Sequence, residues 1–282
     1  MKQLLVVVLV LCMAVYAQDL QTLLQETGAT WTAKSNPISE MSEIEFQNML
    51  SVLPGVYDLD ALPEEEMVDF VDDERGAFEA RHTSIKNQRS CGSCYAFGAC
   101  ATYESNALVK TGRTYDLSEQ DFMMKAKATG PYGGCDGWWL DKAMNLLKNK
   151  GVTSEANCPY KGVEEKCANS GSEYKISSFG HTTDLATIKA KLQSCGALYC
   201  AFMVYNDFRS YNGGVYRYTS GARLGGHAVT LVGYDDAKQA FKVKNSWGTG
   251  WGENGYFWIG YDQMNNCVQF ATCNGGAYYI IK

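Results

Sequence analysis

The feature that most constrains the fold is a change of texture near His181. Before it, apolar residues recur at three- and four-residue steps; after it they come in short β-branched and aromatic runs separated by glycine. Upstream, "CYAFGACATYESNALVK" reads as a helix of about four turns. "LSEQDFMMKAKA" reads as a second helix with Ser118 as its cap, and "GWWLDKAMNLLKNKG" as a third closed by Gly151. Downstream, one further helix in "TTDLATIKAKLQS" precedes the strand-like runs "ALYCAFMVY", "GGVYRYTS", "HAVTLVGYD", "AFKVKNSW" and "GYFWIGY". A helical half followed by a β half specifies an α+β molecule of two lobes, residues 77–180 and 181–282, with a cleft where they meet.

Ahead of these lobes lie two other segments. "MKQLLVVVLVLCMAVYA" has one lysine, an apolar run and small residues at Val15 and Ala17, which reads as a signal peptide cleaved after Ala17. Its apolar run of roughly 13 residues falls short of the ~20 that span a bilayer. The expected compartment is the secretory pathway, where thiols tend to pair. Residues 18–76 carry 14 acidic side chains against Lys34 and Arg75, whereas from Ala77 onward 22 bases exceed 17 acids. Attraction between an acidic leader and a basic body, fading as carboxylates protonate, is one reading of this division. A solvated linker in "PEEEMVDFVDDERG" is the other. Within the leader, Ser39 or Ser42 is expected to cap a helix with Ile44, Met49 and Leu50 near one face, ended by Pro54-Gly55. The glycines of "GGCDGWW" and "GTGWGENG" lack the Lys-Ser/Thr of a phosphate loop, and the basic residues are scattered, so nucleic acid is not an expected partner.

"NQRSCGSCYAFGAC" places Cys91 and Cys94 three residues apart at the start of the first long helix. The pair could act together as a redox couple, or join Cys158 and Cys167 in a zinc site; alternatively one sulfur is a nucleophile and the other is crosslinked. Redox couples usually follow a strand, and "SIKNQRS" is short and polar. Removing Cys12 with the signal leaves ten of the 11 cysteines; one nucleophile leaves nine, so at least one more is free. At the first turn of a helix, Cys94 would have its thiolate favoured by the helix dipole, and a nucleophile of this kind needs a histidine. Of His82, His181 and His227, the last lies in "LGGHAVTLVGY", where glycines permit close approach and a strand holds the ring. "KVKNSWGTGWGENG" supplies Asn245 to orient that ring and Trp247 to cover the bond. The Gln88 amide and the Cys94 N–H are candidate oxyanion donors.

Together these blocks, with "LSEQD", "GGCDGWW" and "CPYKGV", resemble the papain-like cysteine peptidases, and within them the cathepsin B-like branch. The resemblance implies a two-lobed papain-like fold with a helical left lobe and a β-barrel-like right lobe. It implies Cys94 as nucleophile, His227 as base, Asn245 as orienting residue and Gln88 as oxyanion glutamine. It pairs Cys91 with Cys135, leaving Cys94 free; Cys158 and Cys167 pair or cross to a neighbour, and Cys100 is the candidate free thiol. The pairing of Cys195, Cys200, Cys267 and Cys273 stays open. Gly137, Trp138, Gly226, Trp247 and Thr272 fall along the substrate cleft. The leader's "TWTAKSN" resembles a short cathepsin B-type propeptide, making residues 18–76 an inhibitory segment through the cleft, with the mature start near Phe78. The resemblance implies a zymogen of a secreted or lysosomal cysteine endopeptidase without cofactor or metal, working through an acyl-enzyme. Its partners would be polypeptide substrates, its own propeptide and cystatin-type inhibitors; it would be a monomer, off the membrane, outside the cell or in a lysosome or vacuole.

Three departures from the family pattern bear on these expectations. Tyr95 stands where the family has Trp. Trp138 follows Gly137 where the family has a second glycine, so its indole either narrows the cleft, offers a stacking surface, or packs in the core; a binding protein with a blocked cleft is the corresponding rival. Between Trp139 and Cys167 there is no room for the histidine-bearing occluding loop that makes cathepsin B a dipeptidyl carboxypeptidase, hence the endopeptidase expectation. Thr272 would give the pocket for the second residue before the scissile bond a neutral floor, favouring apolar side chains.

Overall fold

The computed structural model describes residues 17–53, 76–265 and 267–281. The apolar run Leu4–Val15, and the acidic run from Pro63 to Arg75 with the Pro54-Gly55 break, lie outside the described residues.

Ala17 and the first leader residues form α1 (residues 17–26), and the leader goes on to β1 (Trp31–Ala33) and α2 (Glu43–Gln47). Of the two candidate caps, Ser42 caps α2 in a reciprocal box with Glu45, while Ser39 bonds Asn36 instead. The expected apolar face is corrected: Ile44 is 74% exposed, and Phe46 is the buried side chain. The reason is length. The helix stops at the Asn48 cap, so Met49, Leu50 and Val52 lie beyond it, placed by their contacts with the body rather than by helical periodicity.

The helical lobe is built from α3 (Cys94–Thr111), α4 (Glu119–Lys127) and α5 (Leu140–Asn149). Every residue of α3 from Cys94 to Thr102 is buried, so this is a central helix wrapped on all sides, not a one-sided surface helix. Gly112, in the left-handed region at φ 71°, ends it. Ser118 caps α4 by accepting from the Asp121 amide at 2.9 Å, as expected.

The β lobe carries β2 (Ala77–Glu79), β3 (Phe179–Thr182), β4 (Leu198–Tyr205), β5 (Tyr211–Tyr216), β6 (Arg223–Asp235), β7 (Ala240–Lys244), β8 (Tyr256–Gly260) and β9 (Ala277–Ile280). Helix α6 (Leu185–Cys195), capped by Asp184, precedes β4. Among the described residues the sheet order is β1-β5-β8-β7-β6-β4-β9-β3, with β2 added on β6. All pairings are antiparallel except β5 with β8. The five strand-like runs of the sequence correspond to β4 to β8. Strands β3 and β9 have no counterpart among those runs: each is four residues long, and their pairing to one another across the sequence leaves no local mark. Strand β3 straddles the 180/181 lobe boundary, and Phe179, Tyr278 and Ile280 pack into the helical core.

Two apolar cores result. That of the β lobe gathers Phe202, Phe208, Leu231, Trp251 and Phe257 and takes in Trp31, Phe46 and Met49 from the leader. That of the helical lobe gathers Tyr95, Phe122, Leu140, Met144 and Leu147 and takes in Val52. The leader thus crosses from one lobe to the other. Trp31 sits edge-on to Tyr216 at 5.1 Å, and β1 pairs with β5. Arg209 lies over the Phe46 ring at 4.6 Å and donates to the Ile38 and Met41 carbonyls.

Candidate active site

Cys94 is the first residue of α3, directly after its N-cap Ser93. Its sulfur accepts from the amide of Ala228 at 3.3 Å, so it lies against the part of β6 that carries His227. The register of β6 on β4 sets His227 opposite Phe202. One imidazole nitrogen, Nε2, is 2.8 Å from Asn245 Oδ1. That oxygen also accepts from the Ser246 amide at 2.8 Å, so Nε2 carries the proton and Nδ1 keeps its lone pair. Nδ1 is buried without a hydrogen-bond partner among the described residues. Trp247 lies over the imidazole, with ring centroids 4.6 Å apart and planes 32° apart.

Gln88 lies on the loop before α3. Its side-chain Nε2 donates to the Cys91 carbonyl at 3.0 Å, its Oε1 accepts from Ser246 Oγ at 2.6 Å, and its backbone amide donates to the Ser246 carbonyl at 2.8 Å. Ser246 is therefore hydrogen-bonded to both Asn245 and Gln88. Cys91 is bonded to Cys135, and Cys158 to Cys167. These pairings leave Cys94 free and remove both the Cys91–Cys94 couple and the zinc set. Cys100 is free and buried; Cys195, Cys200, Cys267 and Cys273 are also unpaired.

The leader passes directly over these groups. Met49 O accepts the second hydrogen of Gln88 Nε2 at 3.0 Å, and Ser51 Oγ lies 3.1 Å from Cys94 Sγ. The Trp138 amide donates to Ser51 O at 2.9 Å, and the Val52 amide to Gly226 O at 3.1 Å. Gly137, at φ 80°, has no room for a Cβ beside the Ser51 carbonyl, and a Cβ on Gly226 would approach Val52 O to 2.8 Å. Trp138 meets the leader with its main chain. Its indole packs edge-to-face on Tyr95 at 5.9 Å and walls a surface depression of about 320 Å³ with Lys142 and Asn149, which is the core-packing alternative. Tyr95 is fully buried, and its hydroxyl donates to Gly134 O at 3.0 Å. Thr272 is half-buried in the turn after β8, its amide on Gln269 O. His82 bonds Glu79 and His181 bonds the Gly275 carbonyl, so neither joins the site.

Residues 69–275 match the family described as papain family cysteine protease. The chain belongs to that family. Similar proteins include gamete and mating-type specific protein A of Dictyostelium discoideum, 36% identical over 63% of this chain and 40% of its own length. Ananain of Ananas comosus is 34% identical over 68% of this chain and 55% of its own, and cathepsin B-like CP2 of Giardia intestinalis 33% over 61% and 62%. The matches thus span from 40% to 62% of these relatives' own lengths. Among solved structures, procathepsin B S9 from Trypanosoma congolense has a TM-score of 0.79 over 93% of this chain and 96% of its own at 21% identity, a likeness of fold. Recombinant stem bromelain precursor has a TM-score of 0.70 over 93% and 87% at 27% identity.

In this papain-family site, burial sets the electrostatics. It pushes the Cys94 thiol up despite opposing hydrogen bonds from Ser51 and Ala228, and it draws His227 down to about 4 despite the bond to Asn245. The expectation of a depressed thiol is therefore reversed here: Cys94 does sit at the helix start, but it is fully buried and desolvation outweighs its hydrogen bonds. Behind the site lies an ion cluster. Lys86 binds Glu104 at 3.2 Å, Asp116 at 2.7 Å and Glu119 at 2.8 Å, and burial lowers Lys244 to about 8. Ser51, Ser246 and Tyr160 are not among the site candidates the sequence offers. Ser246 and Tyr160 lie within quoted motifs, but only their hydrogen bonds reveal what they hold.

Proposed function

We propose that this chain is the zymogen of a cysteine endopeptidase, with residues 18–76 as the inhibitory leader and 77–282 as the peptidase. The observation that carries the reading is the leader's position. Ser51 presents its hydroxyl and its backbone amide to the Cys94 sulfur, and the Met49 carbonyl holds the Gln88 side-chain amide. The leader occupies the nucleophile and the oxyanion donor together.

With the leader gone, His227 Nδ1 takes the Cys94 proton and the thiolate attacks a peptide carbonyl. The developing oxyanion receives the freed hydrogen of Gln88 Nε2 and the Cys94 N–H at the helix start. Imidazolium then protonates the leaving amine, and a water deprotonated by His227 hydrolyses the thioester, restoring the thiol. Endopeptidase action is supported by the histidines: all three are in described residues, and His82 and His181 are engaged elsewhere, leaving none for an occluding loop of the cathepsin B kind. A neutral Thr272 in the second pocket favours apolar over basic side chains. The two disulfides support an oxidising compartment, secreted or lysosomal. Cystatin-type proteins as inhibitors and a monomeric state belong to the same reading.

The test is hydrolysis of a mixed peptide library by the activated form, with internal cleavages expected and Cys94→Ala inactive. Activity surviving in Cys94→Ala, or release of dipeptides only, overturns the reading.

A further inference from the structure

We propose that the loop closed by Cys158–Cys167 positions the oxyanion loop, acting through Tyr160. This rests on Gln88 as an oxyanion donor in the function proposed above.

The Tyr160 hydroxyl donates to the Gln88 carbonyl at 2.8 Å and lies 2.8 Å from Ser93 Oγ. Since the phenolic hydrogen goes to the carbonyl, the Ser93 hydroxyl donates to the phenol. One side chain thus ties the residue that supplies the oxyanion amide to the residue preceding the nucleophile, on either side of the Cys91 bridge. Ser93 is the N-cap of α3 and makes no side-chain cap bond, its hydroxyl being committed to Tyr160. The other donor to Gln88 O, the Cys91 amide, is at 3.4 Å, a long bond. Burial raises the phenol's pKa, so it remains a donor.

The clamp is itself anchored. Phe97 of α3 meets the Tyr160 ring edge-on at 4.8 Å, and the Tyr160 amide donates to Glu155 at 2.7 Å. Gln120 of α4 accepts from the Lys161 amide at 3.0 Å and donates to the Val163 and Glu165 carbonyls at 2.9 and 2.8 Å. Arg89, next to Gln88 and at φ 54°, donates to the Lys161 carbonyl at 2.8 Å. None of these contacts uses the leader, so the clamp persists after activation.

The experiment is steady-state kinetics of the activated form carrying Tyr160→Phe, alone and with Gln88→Ala. A positioning role predicts a loss of about tenfold in kcat with KM within about twofold. In the Gln88→Ala background the same change should cost less than about twofold, since the amide it aligns is gone. A merely structural role would lower both backgrounds equally. Opening the loop with Cys158→Ser and Cys167→Ser together should reproduce the pattern, and replaces Tyr160→Phe if that variant does not fold. Unchanged kcat in Tyr160→Phe, or equal losses with and without Gln88, overturns the proposal. Full kcat in Gln88→Ala alone overturns the oxyanion assignment beneath it and the proposal with it, and is read separately in that single variant.

Discussion

Asn245 acts on the imidazole through one atom. Its Oδ1 fixes the proton on His227 Nε2, and so decides that Nδ1 is the nitrogen with a lone pair. Removing that acceptor leaves the ring free to turn and to change tautomer, with Trp247 as its remaining cover. Asn245→Ala should therefore lower kcat by about a hundredfold with little change in KM, checked by steady-state assay of the activated form. A loss confined to KM would mean the residue contacts substrate instead. The four catalytic candidates are legible in the sequence because each falls in a local motif whose residue types the chemistry requires. Ser51 and Tyr160 are not, because a hydroxyl has no type-specific pattern and its meaning lies in the partner reached across 43 or 67 residues. Trp138 shows the same limit: the sequence places its backbone at the cleft, but the direction of the indole depends on Tyr95.

At the scale of elements, α3 to α6 and β4 to β8 are legible because each carries a local period or cap of its own. Strands β3 and β9 are not, since they are short, buried and defined by one another. The sequence pattern overextends the leader helix because its apolar positions continue past the Asn48 cap into residues that the body, not the helix, places. That correction identifies the anchor. Phe46 is fully buried, edge-on to Trp247 at 5.4 Å and beneath Arg209. Truncating a buried phenylalanine costs about 3–5 kcal/mol, and the lower figure alone corresponds to a factor of about a hundred. Phe46→Ala should accordingly speed conversion of the zymogen to the active form by at least about tenfold, followed as the time course of leader loss. Ile44→Ala, at an exposed position of the same helix, should leave the time course unchanged. Equal rates for both variants would show that the α2 contact does not hold the leader.

For the whole molecule, the leader's hold and the state of the thiol are one problem. Among the described residues no ion pair joins leader to body. The described part of the segment is held by strand pairing, aromatic burial and hydrogen bonds to both main chain and side chains of the body, and the charge-attraction reading rests on acidic residues outside the described ones. What the leader changes electrostatically is hydration at the site. A reactive ion pair needs imidazolium, present only below the histidine's pKa, together with thiolate, present only above the cysteine's. With His227 at about 4 and Cys94 raised, these windows do not overlap, and the covered pair is neutral. Removing the leader should rehydrate both groups, move the histidine up and the cysteine down, and open a window between them. The zymogen should therefore alkylate at Cys94 with a rate that only climbs toward alkaline pH, whereas the activated form should show a plateau across roughly pH 5–7. The shape of the profile, not its height, separates ionisation from simple shielding: shielding alone would scale the plateau down without moving it. A zymogen profile parallel to that of the activated form would mean that the leader blocks access while leaving the ion pair intact.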